Sequence, residues 1–177
     1  MAARQVVLPT AESSPLKWML PPEGTLKLNA NSMFQHNSGV TGAGWILRDH
    51  LGCRVGGGMC NSGMAANPVL AEAIGLREAL SWLKGAFTNS LVDVEVDCLE
   101  LVVAIQGKHY GSYLGGIVSD INSLLDQFQS IAISHVKRSA NQVAHRLALA
   151  SGSLSGSHWL DFVPPAFISN VMLLDLV

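Results

Sequence analysis

The sequence predicts an α/β domain with a five-stranded mixed sheet and helices on both of its faces. Two observations lead to this prediction. Between residues 25 and 59, three segments of strand character are separated by short turns rich in Gly, Asn and Asp, which is typical of an antiparallel meander. Beyond residue 67, segments with helical spacing of apolar residues alternate with two further strands. The resulting order, β-β-β-α-β-α-α-β-α, favours strands that join the meander through helical crossovers.

The first three strands follow from side-chain alternation and from the turns between them. In residues 25–32, Leu26 and Leu28 alternate with Lys27 and Asn29, as expected of a strand that buries one face. Asn, Ser and Gly at positions 37–39 predict a turn into a second strand at 43–48. The Asp-His-Leu-Gly sequence at 49–52 predicts the next turn, and the third strand is predicted at 53–59.

The later elements follow from changes in the spacing of apolar residues. A helix over residues 67–83 begins with Asn67 as its N-cap and Pro68 at its first position. Residues 91–97 alternate valines with acidic residues, which predicts the fourth strand. The same reasoning predicts helices at 98–106, 117–128 and 139–150, a loop at 108–116 and a fifth strand at 131–137. The last helix opens with Ser-Ala-Asn-Gln at 139–142, a capping-box pattern.

Length and composition indicate a single well-packed domain with short extensions. The chain has 177 residues, a hydrophobic fraction of 49% and a charged fraction of 14%, which is typical of a globular protein. We predict a linker at 1–22, a domain at 23–152 and a C-terminal extension at 153–177. No apolar run is long enough to span a membrane. The three cysteines lack metal-ligand spacing, and we interpret them as reduced thiols of an intracellular monomer whose compartment the sequence does not specify.

Two acidic residues suggest a metal site. Glu72 lies at the edge of the apolar stripe of the first predicted helix, and Asp97 ends the fourth predicted strand. A carboxylate held against a core is costly unless a positive charge or a hydrogen bond meets it. Other interpretations remain open, since an acidic residue early in a helix favours the helix dipole, and Asp97 with Glu100 also fits a capping box.

Five segments carry a more specific signal when they are taken together in order. They are residues 18–29 (Trp-x-x-Pro-Pro-x-Gly-x-Leu-Lys-Leu-Asn), 42–52 (Gly-Ala-Gly-Trp-Ile-Leu-Arg-Asp-x-x-Gly), 71–80 (Ala-Glu-Ala-Ile-Gly-Leu-Arg-Glu-Ala-Leu), 94–97 (Val-Glu-Val-Asp) and 135–148 (His-Val-Lys-Arg-Ser-Ala-Asn-Gln-Val-Ala-His-Arg-Leu-Ala). This set resembles the ribonuclease H fold, and more closely the retroelement-derived, reverse-transcriptase-like ribonuclease H domains found in plant genomes. The resemblance covers most of the chain.

The resemblance implies a known chemistry, which is hydrolysis of the RNA strand of an RNA–DNA hybrid. In that family four carboxylates hold two Mg²⁺ ions, one of which helps to generate the attacking hydroxide while the other stabilises the leaving oxygen. Mg²⁺ prefers oxygen ligands, so carboxylates suit this task. Glu72 matches the helix glutamate of the family and Asp97 matches the aspartate at the end of the fourth strand.

Two positions depart from the family pattern. Where the first strand is expected to read Lys-x-Asn-x-Asp-Gly, this chain has Asn31 and Ser32 in place of the last two residues. Where the last helix is expected to carry an aspartate, it has His145. Asn31 offers no charge and His145 offers a nitrogen, and at an effective dielectric constant near 20 each lost carboxylate at ~4 Å removes on the order of 4 kcal/mol of attraction for an ion. The resemblance therefore implies Mg²⁺ bound weakly or as a single ion, if at all.

Other side chains offer little replacement for the missing carboxylates. Asp93 and Glu95 share the fourth strand with Asp97, and we expect them on a solvated face. Asp49 lies in a predicted turn, where its side chain is expected to bond locally. His145 would be an ordinary helix-surface histidine if its position did not match the missing aspartate.

These observations lead to three functional hypotheses. The first is a ribonuclease H-like domain with a degraded active site, which binds an RNA–DNA hybrid or other nucleic acid weakly through a small basic cluster, Lys137, Arg138, Asn141 and Arg146. That cluster has a plainer interpretation as solvated charge. The second is an active Mg²⁺-dependent hybrid ribonuclease that uses Glu72 and Asp97 alone. The third is a non-catalytic protein-interaction module, in which the apolar segment 162–177 docks on its own domain or on a partner.

Overall fold

The computed structural model describes residues 3–7, 15–107, 112–152, 157–159 and 166–175. The strands, in chain order, are β1 (Ala3–Val7), β2 (Thr25–Phe34), β3 (Val40–Arg48), β4 (Arg54–Met64), β5 (Leu91–Val96), β6 (Ser130–His135) and β7 (Ser157–Trp159). The helices are α1 (Pro68–Lys84), α2 (Leu99–Gln106), α3 (Ser112–Leu125), α4 (Gln142–Ser151) and α5 (Ala166–Asp175), with a 3₁₀ turn at Arg138–Ala140 before α4.

The strands form one mixed sheet in the order β1-β6-β5-β2-β3-β4-β7. β2, β3 and β4 pair in an antiparallel manner, whereas β5 lies parallel to β2 and β6 lies parallel to β5. These five central strands confirm the predicted meander and the predicted helical crossovers. The arrangement brings the C-terminal end of β5 beside the second half of β2, where Ala30 pairs with Val96.

Short strands from the chain ends extend the sheet on both sides. β1 pairs in parallel with β6, and β7 pairs with β4 in an antiparallel manner. Five residues of the predicted linker and three of the predicted C-terminal extension therefore belong to the sheet. The sequence did not predict them because an edge strand needs only unpaired backbone groups on its neighbour, and not a strong side-chain pattern of its own. The proposed boundaries at residues 22 and 152 stay a prediction.

Hydrophobic cores lie on both faces of the sheet. The larger one joins β2, β5 and β6 to α1, α2 and α3, and Leu28 and Val94 are fully buried in it. The smaller one joins α4 and α5 to β3 through Ile46, Leu147 and Ile168. α5 therefore packs on the same domain, which is one of the two placements proposed for the C-terminal segment.

A glycine allows α4 to approach the sheet closely. A Cβ atom added at Gly44 of β3 would overlap the backbone of Ala148 and the side chain of Leu147. This close contact fixes the position of α4 over β2 and β3. His145, one turn earlier in α4, is thereby held near the end of β2.

A buried group of polar and charged side chains lies on the same face of the sheet as α4 and α5. We call it the clasp cluster, and it consists of Trp18, Lys27, Asn29, Arg48, Glu95 and Asp175. Lys27 Nζ lies 2.6 Å from Glu95 Oε1, and Asn29 Nδ2 donates to Glu95 Oε2 at 2.8 Å. Glu95 is therefore buried and paired, so the expectation that it lies on a solvated face is wrong. Asp93, two residues earlier, is half-buried, and burial raises its pKa.

The clasp cluster also ties the N-terminal segment and the C-terminal helix to the sheet. Arg48 Nη1 donates to Asp175 Oδ2 of α5 at 2.7 Å, and the Arg48 side chain is 1% exposed. The Trp18 ring stacks on the guanidinium of Arg48 with 3.6 Å between the ring centroid and Cζ, and Trp18 Nε1 donates to Asn29 Oδ1 at 2.8 Å. Cation–π stacking and ion pairing together compensate the charge of a fully buried arginine.

The start of α1 agrees with the prediction from the sequence, whereas the starts of α3 and α4 differ from it. Asn67 caps α1 by accepting a hydrogen bond from the Leu70 N–H at 2.9 Å, as predicted. α3 begins at Ser112, inside the predicted loop at 108–116, of which residues 108–111 lie outside the described part. The capping box predicted at 139–142 is wrong, because α4 begins at Gln142 and the side chain of Asn141 forms no cap bond. Among the described helices, none is long and apolar enough to cross a membrane.

Candidate functional site

Side chains from five parts of the fold meet where β5 ends beside β2. We call them the edge cluster: Asn31, Glu72, Asp97, Arg138 and His145. Ala30 and Val96 are partners in the parallel β2–β5 ladder, so Asn31 and Asp97, the next residues along, lie beside one another. Glu72, Arg138 and His145 line a cleft of about 490 Å³ at this edge. The structure thus brings together all four positions that the sequence predicted to form one site.

The amide of Asn31 is bonded on both sides within the edge cluster. Its Nδ2 donates to Asp97 Oδ1, and its Oδ1 lies 3.0 Å from His145 Nδ1. A carboxylate can only accept a hydrogen bond, which fixes the amide nitrogen towards Asp97 and the amide oxygen towards His145. Neutral His145 therefore carries its proton on Nδ1, and its Nε2 is left as the acceptor. Burial, followed by the positive charge of Arg138, lowers the pKa of His145.

Asp97 is balanced by an arginine. Arg138 Nε donates to Asp97 Oδ2 at 3.0 Å, and the side chain of Asp97 is 2% exposed whereas that of Arg138 is 64% exposed. The capping interpretation of Asp97 is wrong, because the residue at the N-cap of α2 is Cys98, which forms no side-chain cap bond. Asp97 faces Asn31 and Arg138 instead, as the site interpretation requires.

Glu72 is held at the base of the cleft by the backbone of β2. The Ser32 N–H donates to Glu72 Oε2 at 3.0 Å. Burial raises the pKa of Glu72 to about 8, and the nearby charge of Asp97 adds to the effect, while the Ser32 N–H and Arg138 oppose it. The interpretation of Glu72 as a helix-terminus charge is wrong, because the first turn of α1 contains no acidic residue.

The predicted basic cluster is divided by the structure. Lys137, Arg138 and Arg146 are exposed, but Arg138 borders the cleft whereas Arg146 borders a separate pocket of about 250 Å³. Asn141 is buried, and its Nδ2 donates to the Ala30 carbonyl at 2.9 Å. The expectation that Asn141 contacts nucleic acid is therefore corrected, because its amide joins the start of α4 to β2.

The sequence reasoning missed part of the lining of the cleft. This part includes Met33, Phe34, His36 and Pro68. The rings of Phe34 and His36 meet edge to face with their centroids 5.0 Å apart. The available signal was a pair of aromatic rings two residues apart, one at the last position of β2 and one in the turn that follows.

Two comparisons with known sequences agree with this geometry. A family model described as "Reverse transcriptase-like" matches residues 29–151. An Arabidopsis thaliana protein that carries the name "Putative ribonuclease H protein" is 35% identical over 156 residues, which are 86% of this chain and 24% of that protein. The chain thus spans about a quarter of the length of this relative.

Solved structures share the fold. The ribonuclease H1 of the halophilic archaeon Halobacterium salinarum superposes with a TM-score of 0.64 at 24% identity, covering 72% of this chain and 98% of that chain. The LC11 ribonuclease H1, solved in complex with an RNA/DNA hybrid, gives the same TM-score at 19% identity over 71% of this chain and 95% of that chain. The chain belongs to the reverse transcriptase-like family, and its five central strands have the ribonuclease H fold.

Proposed function

We propose that this chain is a ribonuclease H-like domain that binds nucleic acid, including RNA–DNA hybrid, and cleaves the hybrid little or not at all. The observation that carries the proposal is the double hydrogen bonding of Asn31. Its oxygen, the one atom that could replace a carboxylate ligand, bonds to His145, and its nitrogen bonds to Asp97. The amide thus joins two potential ligand groups to each other, and its oxygen, which already accepts a hydrogen bond, offers an ion no negative charge.

The remaining donor set does not fit two Mg²⁺ ions. Two Mg²⁺ ions carry four positive charges, whereas the carboxyl groups of Glu72 and Asp97 offer at most two negative charges. Asp97 is already paired with Arg138. Within the described ranges, no group of three or more His, Cys, Asp and Glu side chains is arranged to hold a metal. A single weakly held ion at Glu72 and Asp97 is the most that this set supports, because Mg²⁺ keeps much of its water shell when few carboxylates are offered.

Nucleic-acid binding is supported by exposed cations near the cleft. Lys137 and Arg138 lie exposed at the turn before α4, and Arg138 borders the cleft itself. The net charge of the chain is only -2, so the attraction for phosphate depends on this local group and not on the whole surface. We expect weak, salt-sensitive binding by an intracellular monomer.

A cleavage assay on a labelled RNA–DNA hybrid with Mg²⁺ or Mn²⁺ tests the proposal. The parent chain is expected to leave the hybrid intact while it shifts the fluorescence anisotropy of the same hybrid. The double variant Asn31→Asp with His145→Asp restores both family carboxylates and is expected to gain metal-dependent cleavage. Hybrid cleavage by the parent that disappears in Glu72→Gln would contradict the degraded site and would favour an active enzyme that uses Glu72 and Asp97.

A matched variant shows which substitution is responsible for any cleavage activity that the double variant gains. Asn31→Asp combined with His145→Asn restores one carboxylate and removes the imidazole, so it is expected to remain inactive. If the full double variant also stays inactive while it is folded and binds hybrid, missing ligands are not the cause of the low activity. If no variant, the parent included, binds any nucleic acid, the proposed binding function is wrong and the interaction-module hypothesis gains support.

A further inference from the structure

The cleft at the edge cluster has a chemically mixed lining. Its lining includes the charged and polar side chains of Glu72, Arg138 and His145, and also Met33, Phe34, His36 and Pro68. His36 is exposed and Phe34 is half-buried, with their rings in edge-to-face contact. A pocket lined by both aromatic rings and a cationic group suits a ligand that carries a flat ring and an anion.

The charges of the edge cluster allow a phosphate to bind there without a metal ion. Asp97 is matched by Arg138, and the side chains of Asn31 and neutral His145 carry no charge. Of the four family ligand positions, two therefore hold no carboxylate and a third is paired with an arginine, which leaves Glu72 as the one carboxyl group without a cationic partner in the cluster. Four carboxylates at the same positions would sum to four negative charges and would repel a phosphate unless cations were bound.

We propose that the cleft binds one nucleotide unit of a single-stranded nucleic acid without a metal ion, with its phosphate on Arg138 and its base against Phe34 and His36. The inference rests on the proposed nucleic-acid binding and specifies its ligand. Arg138 Nε is engaged by Asp97, but a guanidinium has five N–H donors and can bind a phosphate with those that remain. A single strand is specified because its bases can leave the stack and lie on aromatic rings, whereas paired bases cannot.

Fluorescence anisotropy with a short labelled RNA single strand tests the inference. The parent is expected to bind it equally well in excess EDTA and in Mg²⁺, and more tightly than it binds the same RNA in a blunt hybrid. Phe34→Ala and His36→Ala are each expected to weaken binding by about fivefold or more, because base stacking on an aromatic ring is lost. His36 is exposed, so its removal tests stacking without a change in the core.

Matched controls separate the cleft from the general surface. Arg138→Ala is expected to weaken binding and to reduce its salt dependence, whereas Arg77→Ala on α1, away from the cleft, is expected to leave both unchanged. Phe167→Ala, which removes an exposed ring on α5, serves as the control for Phe34 and His36. Asn31→Asp combined with His145→Asp is expected to weaken RNA binding in EDTA and to make that binding depend on Mg²⁺, because the added carboxylates repel the phosphate unless a cation is bound.

The outcomes separate this inference from the proposed function. If the parent binds RNA only when Mg²⁺ is present, or if Phe34→Ala, His36→Ala and Arg138→Ala bind like the parent, this inference is wrong while nucleic-acid binding stands. If the blunt hybrid binds as tightly as the single strand in EDTA, the cleft is not specific for an unpaired base and the inference is likewise wrong. Absence of binding to every nucleic acid would refute the proposed function as well.

Discussion

The clasp cluster and the edge cluster both include residues of β2 and of the β5 segment, but their acidic side chains are compensated to different degrees. Lys27 and Asn29 of β2 belong to the clasp, and Asn31, two residues further on, belongs to the edge cluster. In the clasp, Glu95 meets a lysine and an amide at 2.6 and 2.8 Å. In the edge cluster, Glu72 is bonded to one backbone N–H, and its pKa is raised to about 8.

The difference shows how to distinguish a structural group from a candidate functional one within a single sheet. A buried ion needs a partner, and the clasp supplies one to each of its charged residues at the junction of the two chain ends with the sheet. The edge cluster opens to a cleft and keeps a carboxyl group whose charge is poorly compensated, which is a property of sites that bind ligands. The clasp therefore stabilises the fold, whereas the edge cluster is the candidate functional site.

The largest expected effect is the loss of the clasp arginine. Arg48→Ala leaves Asp175 buried without its partner and removes the group on which Trp18 stacks. We expect the free energy of unfolding to fall by about 3 to 5 kcal/mol, as measured by urea denaturation. Arg77→Ala, which breaks partly exposed ion pairs on α1, is the matched control and should cost less than about 1 kcal/mol. Equal losses in the two variants would contradict the structural role of the clasp.

The next effect is a pH dependence that originates in the edge cluster. Because the pKa of Glu72 is about 8 in the folded chain and 4.5 is its ordinary value, the folded state keeps its proton while the unfolded state loses it. The stabilisation from this carboxyl group is complete below pH 4.5 and is lost as the pH rises through 8. From pH 4.5 to pH 8 the free energy of unfolding should fall less in Glu72→Gln than in the parent, with a difference of up to ~5 kcal/mol.

Denaturant unfolding at a series of pH values measures this difference. Glu100→Gln, at an exposed position in the first turn of α2, is the control and should follow the parent profile. If the profiles of Glu72→Gln and the parent run parallel from pH 4.5 to 8, the carboxyl group of Glu72 is not held as the structure indicates.

A smaller effect concerns the contact between β2 and α1 below the site. A Cβ atom added at Gly75 would overlap the Ser32 hydroxyl, and Ala43 Cβ lies 3.1 Å away. Gly75→Ala is expected to destabilise the chain by about 1 to 3 kcal/mol through overpacking, although alanine favours the helix. Ser32→Gly should recover most of that loss, and a double-mutant cycle of unfolding free energies measures the coupling. An additive result would show that Ser32 and Gly75 do not constrain each other.

Local patterns sufficed to predict the central sheet and two members of the site. The alternation in β5 placed Asp97 at the end of its strand, and the spacing of apolar residues in α1 placed Glu72 at the edge of its apolar stripe. The positions of Asn31 and His145 followed from the resemblance to the family. These features depend on residues that are close in sequence, so the chain alone carries the signal.

Long-range pairing explains what could not be predicted. Alternation in β5 suggested an exposed Glu95, because nothing in that segment shows that Lys27 and Asn29 of the neighbouring strand bond to it. Arg48 and Asp175 are separated by 127 positions, and their pairing depends on the docking of α5. The burial of Asn141 likewise depends on the Ala30 carbonyl of a distant strand.

Calorimetric titration of the parent chain with Mg²⁺ tests most directly whether the edge cluster has lost its capacity for two ions. We expect at most one weakly bound ion per parent chain, and tighter binding of a second ion in the variant with Asn31→Asp and His145→Asp. Two ions bound to each parent chain at millimolar Mg²⁺, with both signals removed by Glu72→Gln, would contradict this expectation.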